Sequence, residues 1–261
     1  MKRLTQSVVR KLHSLCLDRG LRNQLSIYFH TLEPADYSAF RELVGFFASS
    51  GYEFVDPDRF LEGASSRRVM LSFDDNYRAW YEALALFQDL KIQATFYVNT
   101  GPMRERATPE EIGDYFERIC HQGEKVPLSS TELGEMARAG HTIGCHTRAH
   151  FRLTALSPER AQAEISSGKT DLEQILGQAV VHFSYPFGMR RHFNEDLRRY
   201  CHRIGLRTVA AAIPGMQHAP QSAAAIQRSP WDLQRSLEYN LTNLRIDGSL
   251  YARLTGRSAV A

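Results

Sequence analysis

The sequence predicts a single α/β domain with parallel strands inside and helices outside. Three observations carry that prediction. Short apolar runs of strand length alternate with longer stretches of helical periodicity along most of the chain. The notable polar residues fall where the apolar runs end, where parallel strands hand their loops to one common face. The composition, 43% hydrophobic and 23% charged over 261 residues, is that of an ordinary globular domain. About seven strand–helix units can be counted, and from the count alone an open doubly wound sheet and a barrel both fit.

In chain order, residues 2–17 place Leu4, Val8, Leu12 and Leu15 at helical spacing among Lys2, Arg3, Arg10 and Lys11. Such a basic amphipathic helix either lies on an anionic membrane surface or packs on the domain body. Gln24–His30 reads as the first strand, and Pro34 opens a helix through Ala48 with Phe40, Leu43, Val44 and Phe47 on one face. A short strand at Tyr52–Val55 and a small helix from Pro57 precede the apolar strand around Val69–Phe73. A helix over Ala79–Leu90 and a strand at Ala94–Val98 follow. Thr100–Pro127 interrupts the rhythm with one helical pattern near Pro109–Cys120, as a lid, binding loop or interaction surface would. The alternation resumes with a helix at Thr131–Ala139, a strand at His141–Cys145, and a helix from Ser157-Pro158 to Gly177. Strand Val180–Tyr185, helix Asn194–Ile204 and strand Arg207–Ala211 come next, and Ser229-Pro230-Trp231-Asp232 reads as a helix start. The resulting division is an N-terminal helix over 1–23, the main domain over 24–247 with an insertion at 100–127, and a loosely held tail over 248–261.

No apolar run approaches the roughly 18 residues a bilayer span needs. The first twenty residues lack the apolar core and small-residue cleavage site of a secretory signal. Cys16, Cys120, Cys145 and Cys201 are scattered without CxxC spacing, as free thiols in a reducing compartment would be. The expected location is the cytoplasm, with the basic helix allowing peripheral contact at the inner face of the membrane. A net charge of +3 gives no argument for nucleic acid.

Three stretches carry chemistry. RVMLSFDDN, residues 68–76, is an apolar strand ending in Asp74 and Asp75, carboxylates that are costly there unless solvated or bound. AGHTIGCHTRAHF, residues 139–151, sets His146 and His150 four apart, a spacing that a helical turn or a tight loop can converge. Two imidazoles and a carboxylate make the three-ligand set of a catalytic zinc site. VVHFSYPFG, residues 180–188, is a further apolar strand ending in a Pro-aromatic-Gly turn. Tyr185, Phe187 and Trp231 offer flat surface for a sugar ring or belong to the core.

In order and interval, SFDDN, HTRAH and FSYPFG resemble the first three motifs of the polysaccharide deacetylases, carbohydrate esterase family 4. The similarity runs from about Gln24 to about Asn243 and implies a distorted (β/α) barrel of about seven parallel strands. It further implies a divalent ion, most simply Zn2+, held by Asp75, His146 and His150, with Asp74 as general base. The backbone amide of Phe187, presented by the Pro186 turn, becomes the oxyanion donor. Tyr185, Pro186 and Trp231 are the substrate-contact candidates, and the substrate is an N-acetylated glycan or glycan precursor.

Two departures from the family pattern concern the acid and the base. The late segment Ile226–Trp231, IQRSPW, lacks the histidine that many members use as general acid. His30, in the Tyr-His end of the first strand, resembles the acid of the poly-N-acetylglucosamine deacetylase branch, with His218 in reserve. Ser184 stands where an arginine usually orients the base, which leaves Arg190 or Arg191 as substitutes. The rival functions are a deacetylase or amidohydrolase for a non-polymeric cytoplasmic substrate, and a non-catalytic sugar-binding protein that keeps the fold.

Overall fold

A computed structural model describes residues 20–62, 66–214 and 225–245. The basic helix expected at residues 2–17, His218 and the tail beyond Gly248 lie outside them.

The strands are β1 (Gln24–Phe29), β2 (Glu53–Phe54), β3 (Arg68–Asp75), β4 (Thr95–Val98), β5 (Thr142–Cys145), β6 (His182–Ser184), β7 (Thr208–Ala211), β8 (Ala225–Gln227) and β9 (Ser229–Pro230). They pair in the order β8-β7-β6-β5-β4-β3-β1-β9, and every pairing is parallel. Strand β2 stands off this path, on the first residues of β3. Because β8 and β9 flank the single residue Arg228, one short segment pairs with β7 at one edge and β1 at the other. The result is a nearly closed barrel of eight parallel strands in one α/β domain. Counting the 225–230 segment as one stave recovers the seven expected.

The 229–232 segment is a correction. Ser-Pro-Trp-Asp reads locally as a helix start, yet Ser229–Pro230 is strand β9, and Trp231 N–H donates to the Tyr28 carbonyl at 3.2 Å. The open edge of β1 supplies backbone partners that a local cap cannot match. The helix begins later, at Leu237, under a Ser236 cap.

The helices are α1 (Tyr37–Ser49), α2 (Pro57–Leu61), α3 (Ala79–Glu82), α4 (Leu84–Leu90), α5 (Pro109–Arg118), α6 (Ser130–Arg138), α7 (Pro158–Leu176), α8 (Glu195–Arg203) and α9 (Leu237–Leu244). Helices α5 and α6 start in full capping boxes, Thr108 with Glu111 and Ser129 with Glu132. Helix α7 starts at Ser157-Pro158 and stops at Gly177, which takes the left-handed conformation with φ 66°. No helix among the described residues is long and apolar enough to cross a membrane.

Strand β3 shows how the barrel is built. Its alternate residues Val69, Leu71 and Phe73 face the helices, where Phe73 stacks between Phe29 at 4.9 Å and Phe96 at 5.1 Å. Met70 points instead into a small inner cluster with Tyr97 and Ile226. Ser72 and Asp74 continue that inward face, so the two-residue period delivers Asp74 to the barrel axis.

Candidate metal and catalytic centre

Asp75 follows Asp74 and would point outward if the strand ran on regularly. Its φ of 91° breaks the alternation and turns the carboxylate toward the barrel mouth. Six non-glycine residues have positive φ among those described, and four of them, Asp75, Thr147, His150 and Phe187, belong to this one site. Such backbone costs on the order of 1–3 kcal/mol per residue and persists only where its surroundings enforce it.

His146 and His150 converge through a loop rather than a helical turn. Thr147 and His150 adopt left-handed conformations with φ 70° and 58°, and the His150 N–H donates to Thr147 Oγ1 at 3.1 Å. Asn99 Nδ2 donates to the His146 carbonyl, while Tyr115 Oη donates to Asn99 Oδ1 at 2.9 Å. Arg118 Nη1 holds the Ala149 carbonyl at 2.7 Å. Tyr115 and Arg118 lie on α5, so the insertion expected as a lid, loop or interaction surface buttresses this loop from behind. From the other side, a Cβ on Gly168 of α7 would stand 2.7 Å from the Thr147 carbonyl carbon; only glycine lets helix and loop approach so closely.

Asp75 Oδ1 lies 3.5 Å from His146 Nε2 and 3.3 Å from His150 Nε2, all three residues buried. A tetrahedral ion with ligands at about 2.0–2.1 Å requires ligand atoms about 3.3 Å apart. Asp75 Oδ1 and His150 Nδ1 are buried without a hydrogen-bond partner, whereas Tyr77 Oη donates to Asp75 Oδ2 at 3.3 Å. His146 Nδ1 donates to the Ser184 carbonyl at 2.7 Å, which fixes the tautomer and leaves Nε2 free to ligate. By spacing, donor type and orphaned oxygen, the residues present fit a divalent ion.

Burial pushes the Asp75 carboxyl up, but His150, His146 and His30 outweigh it and hold the group well below the usual carboxylate range. Burial lowers His150 to about 4 against the pull of Asp75. His146 is raised: burial opposes its charged form, and Asp74 and Asp75 together overcome that.

Asp74 has a different neighbour, one the motif spacing did not reveal. Arg228, between β8 and β9, is fully buried and grips Asp74 with both forks, Nη1 to Oδ1 at 2.6 Å and Nη2 to Oδ2 at 2.7 Å. Its remaining donors reach Ser72 Oγ at 3.1 Å, Ser184 Oγ at 2.7 Å and the Ala211 carbonyl at 3.4 Å. The guanidinium lies between the rings of Tyr28 and Tyr97, 5.1 Å from each centroid. Burial raises the Asp74 pKa, and Arg228 with His146 more than reverses it, so the carboxylate stays charged. Arg190 and Arg191, the expected substitutes for the missing motif arginine, are exposed and do not pair with Asp74. The only signal available in the sequence was an arginine set in a strand-like segment, where its five donors demand buried acceptors.

His30 follows β1, exposed, with its ring edge-on to Tyr28 at 5.6 Å. Because β1 and β3 run parallel with Phe29 opposite Phe73, His30 leaves its strand beside Asp74, at the same end of the barrel. Phe187 has φ 64°, and its backbone N–H has no partner among the described residues. Pro186, before it, is buried. Tyr185 and Trp231, expected as flat surfaces for sugar, are buried instead, Tyr185 stacked on Phe193 at 4.6 Å and Trp231 against Phe47 at 5.9 Å. The aromatic that this turn exposes is Phe187. Cys145, next to His146, points away and bonds the Ile165 carbonyl at 3.7 Å.

The polysaccharide deacetylase family profile matches residues 62–209. YxkH of Bacillus subtilis (strain 168), named for polysaccharide deacetylation, is 26% identical over 165 residues, which cover 63% of this chain and 51% of that protein. The chain thus spans about half the length of that curated relative. Among solved structures, the Streptococcus pyogenes deacetylase PplD in complex with acetate is similar at TM-score 0.68 and 20% identity, over 85% of this chain and 97% of that one. IcaB from Ammonifex degensii is similar at 0.67 and 16%, over 87% and 98%. The BpsB deacetylase domain from Bordetella bronchiseptica gives 0.64 and 15%, over 80% and 96%. At these identities the structures speak for the fold, while the profile spans more than half of the chain: it belongs to the polysaccharide deacetylase family.

Proposed function

We propose that the chain removes N-acetyl groups from an amino sugar of a glycan or glycan precursor, with a divalent ion held by Asp75, His146 and His150. The observation that carries this reading is the convergence of those three donors on an orphaned carboxylate oxygen, beside a second carboxylate that is fully paired with Arg228. When bound, such an ion, most simply Zn2+, supplies an acidified water and a polarised acetamide carbonyl. Asp74, kept ionised and aimed by Arg228 and Ser184, takes the proton of the attacking water. The partnerless N–H of Phe187 donates to the oxygen on which negative charge develops. His30, solvent-facing at the barrel mouth, hands a proton to the departing amine, so acetate and a free amino sugar leave with no redox change. His218 remains the alternative acid.

The test combines metal analysis with acetate release. The purified chain is expected to take up close to one equivalent of zinc or cobalt and to release acetate from N-acetylated sugars only when loaded. A chain that binds sugar but neither metal nor turnover would favour the sugar-binding alternative.

A further inference from the structure

The rim beside His150 carries a charge pattern that the reaction above leaves unused. Phe187 and Met189, 39% and 47% exposed, are the exposed large apolar side chains among the described residues. They stand in the turn PFGMRRH, residues 186–192, which contains no acidic residue. The Phe187 ring lies 4.8 Å from the His150 ring, and the Arg152 guanidinium sits over it at 5.4 Å. His192 packs on the same ring at 5.4 Å and accepts from Arg191 Nε at 3.1 Å. Thr154 Oγ1 donates to the Arg191 carbonyl at 2.9 Å, tying this turn to the segment that follows His150.

Of the exposed arginines elsewhere, Arg41, Arg59, Arg104 and Arg207 have carboxylate partners, whereas Arg67, Arg138, Arg160 and Arg203 form no ion pair among the described residues; what sets the rim apart is that its arginines gather around one aromatic ring. Arg152, Arg190 and Arg191 form no ion pair among the described residues. The Arg152 guanidinium over the Phe187 ring, and Arg191 on the His192 ring that packs against it, bring both arginines to one point on the rim. Like charges gathered beside a reaction centre raise the local concentration of an anion there.

We infer that Arg152 and Arg191, with Arg190 beside them, bind an anionic group of the substrate, and that the acetylated sugar carries a phosphate or diphosphate ester next to its acetamide. The inference rests on the deacetylase reading above. In a 2-acetamido sugar the ester-bearing carbon adjoins the acetamide-bearing one, so an acetamide at the His150 side brings the ester to this rim. A guanidinium fork matches phosphate oxygens two at a time, and several forks suit a group of more than one negative charge. Phe187 and Met189 then face whatever the ester links to, a lipid or a nucleoside.

Acetate release is compared for N-acetylglucosamine 1-phosphate, its uridine diphosphate ester, a polyprenyl diphosphate ester in detergent, and the neutral methyl glycoside. The metal-loaded chain is expected to favour the phosphorylated sugars in kcat/KM by at least about tenfold, with a preference that shrinks as salt rises. The Arg152→Ala/Arg191→Ala double variant should bring the phosphorylated-to-neutral ratio close to one, a ratio that a general folding defect does not move. The two diphosphate esters distinguish nucleoside from lipid as the source of the anion. Equal kcat/KM for neutral and phosphorylated sugars in the unaltered chain, or an unchanged ratio in the double variant, would overturn the inference. Arginine-dependent binding of N-acetylglucosamine 1-phosphate by calorimetry, without acetate release from any sugar, would instead retain the anion site and remove the deacetylase reading.

Discussion

Two neighbouring carboxylates meet opposite fates in this barrel. Around Asp74 the charges are answered: Arg228 spends all its donors on Asp74, Ser72, Ser184 and Ala211, inside a pair of tyrosine rings. Around Asp75 the groups converge without satisfying one another, leaving Asp75 Oδ1 and His150 Nδ1 orphaned on left-handed backbone. The first region is finished as folded. The second is held in shape by its supports and, on the proposed reading, completed by a divalent ion.

The comparison breaks most sharply if the ligand set is removed. Asp75→Ala, His146→Ala or His150→Ala should abolish stoichiometric metal binding and turnover together. Stability of the metal-free protein should change little, but the stabilisation given by added metal, about 2.7 kcal/mol at a hundredfold excess over Kd, should vanish. Thermal melts with and without zinc check this. On the satisfied side, Arg228→Met should destabilise the metal-free fold by about 3–5 kcal/mol, because it strands a buried carboxylate. Denaturant unfolding reads it, and a loss under about 1 kcal/mol would mean that Asp74 finds other relief. Asp74→Asn sharpens the division further: metal stoichiometry should persist while kcat falls about 10²–10⁴-fold.

A histidine away from both regions is satisfied in one protonation state only. His141 packs between Phe87 and Phe96 and accepts the Ala94 N–H on Nδ1 at 3.2 Å; burial lowers its pKa to about 4. The unfolded chain therefore binds the extra proton first. The stability this residue contributes is intact above about pH 6.5 and is lost as pH falls toward 4, by up to about 3 kcal/mol. His141→Gln should flatten that slope in denaturation curves measured across the window. Smallest in energy is Gly168→Ala, which presses on the Thr147 backbone and should cost about 1–3 kcal/mol while weakening metal affinity.

Much of this architecture could be read in advance because its causes are local. The start at Ser157-Pro158, the stop at Gly177 and the apolar period of α1 each lie within a few residues, and each falls where expected. The Asp75–His146–His150 set was legible because motif order survives the separations between its parts. Arg228 was not, since its partner Asp74 lies 154 residues away and no neighbouring residue in its segment marks it as the mate of a carboxylate. The same segment misled as a helix start because its strand partner, β1, comes some 200 residues earlier.

Sequence alone thus determined the alternating strands and helices, the capped boundaries and the donor types at each strand end, for these follow from periods and neighbours along the chain. Only the tertiary structure decided that Arg228 holds Asp74, that residues 225–230 close the barrel, and that Tyr185 and Trp231 are buried while Phe187 faces out. The physical reason is that a buried charge, an open strand edge and an aromatic face are satisfied by whatever folding brings near. Nothing in the residues on either side names that partner.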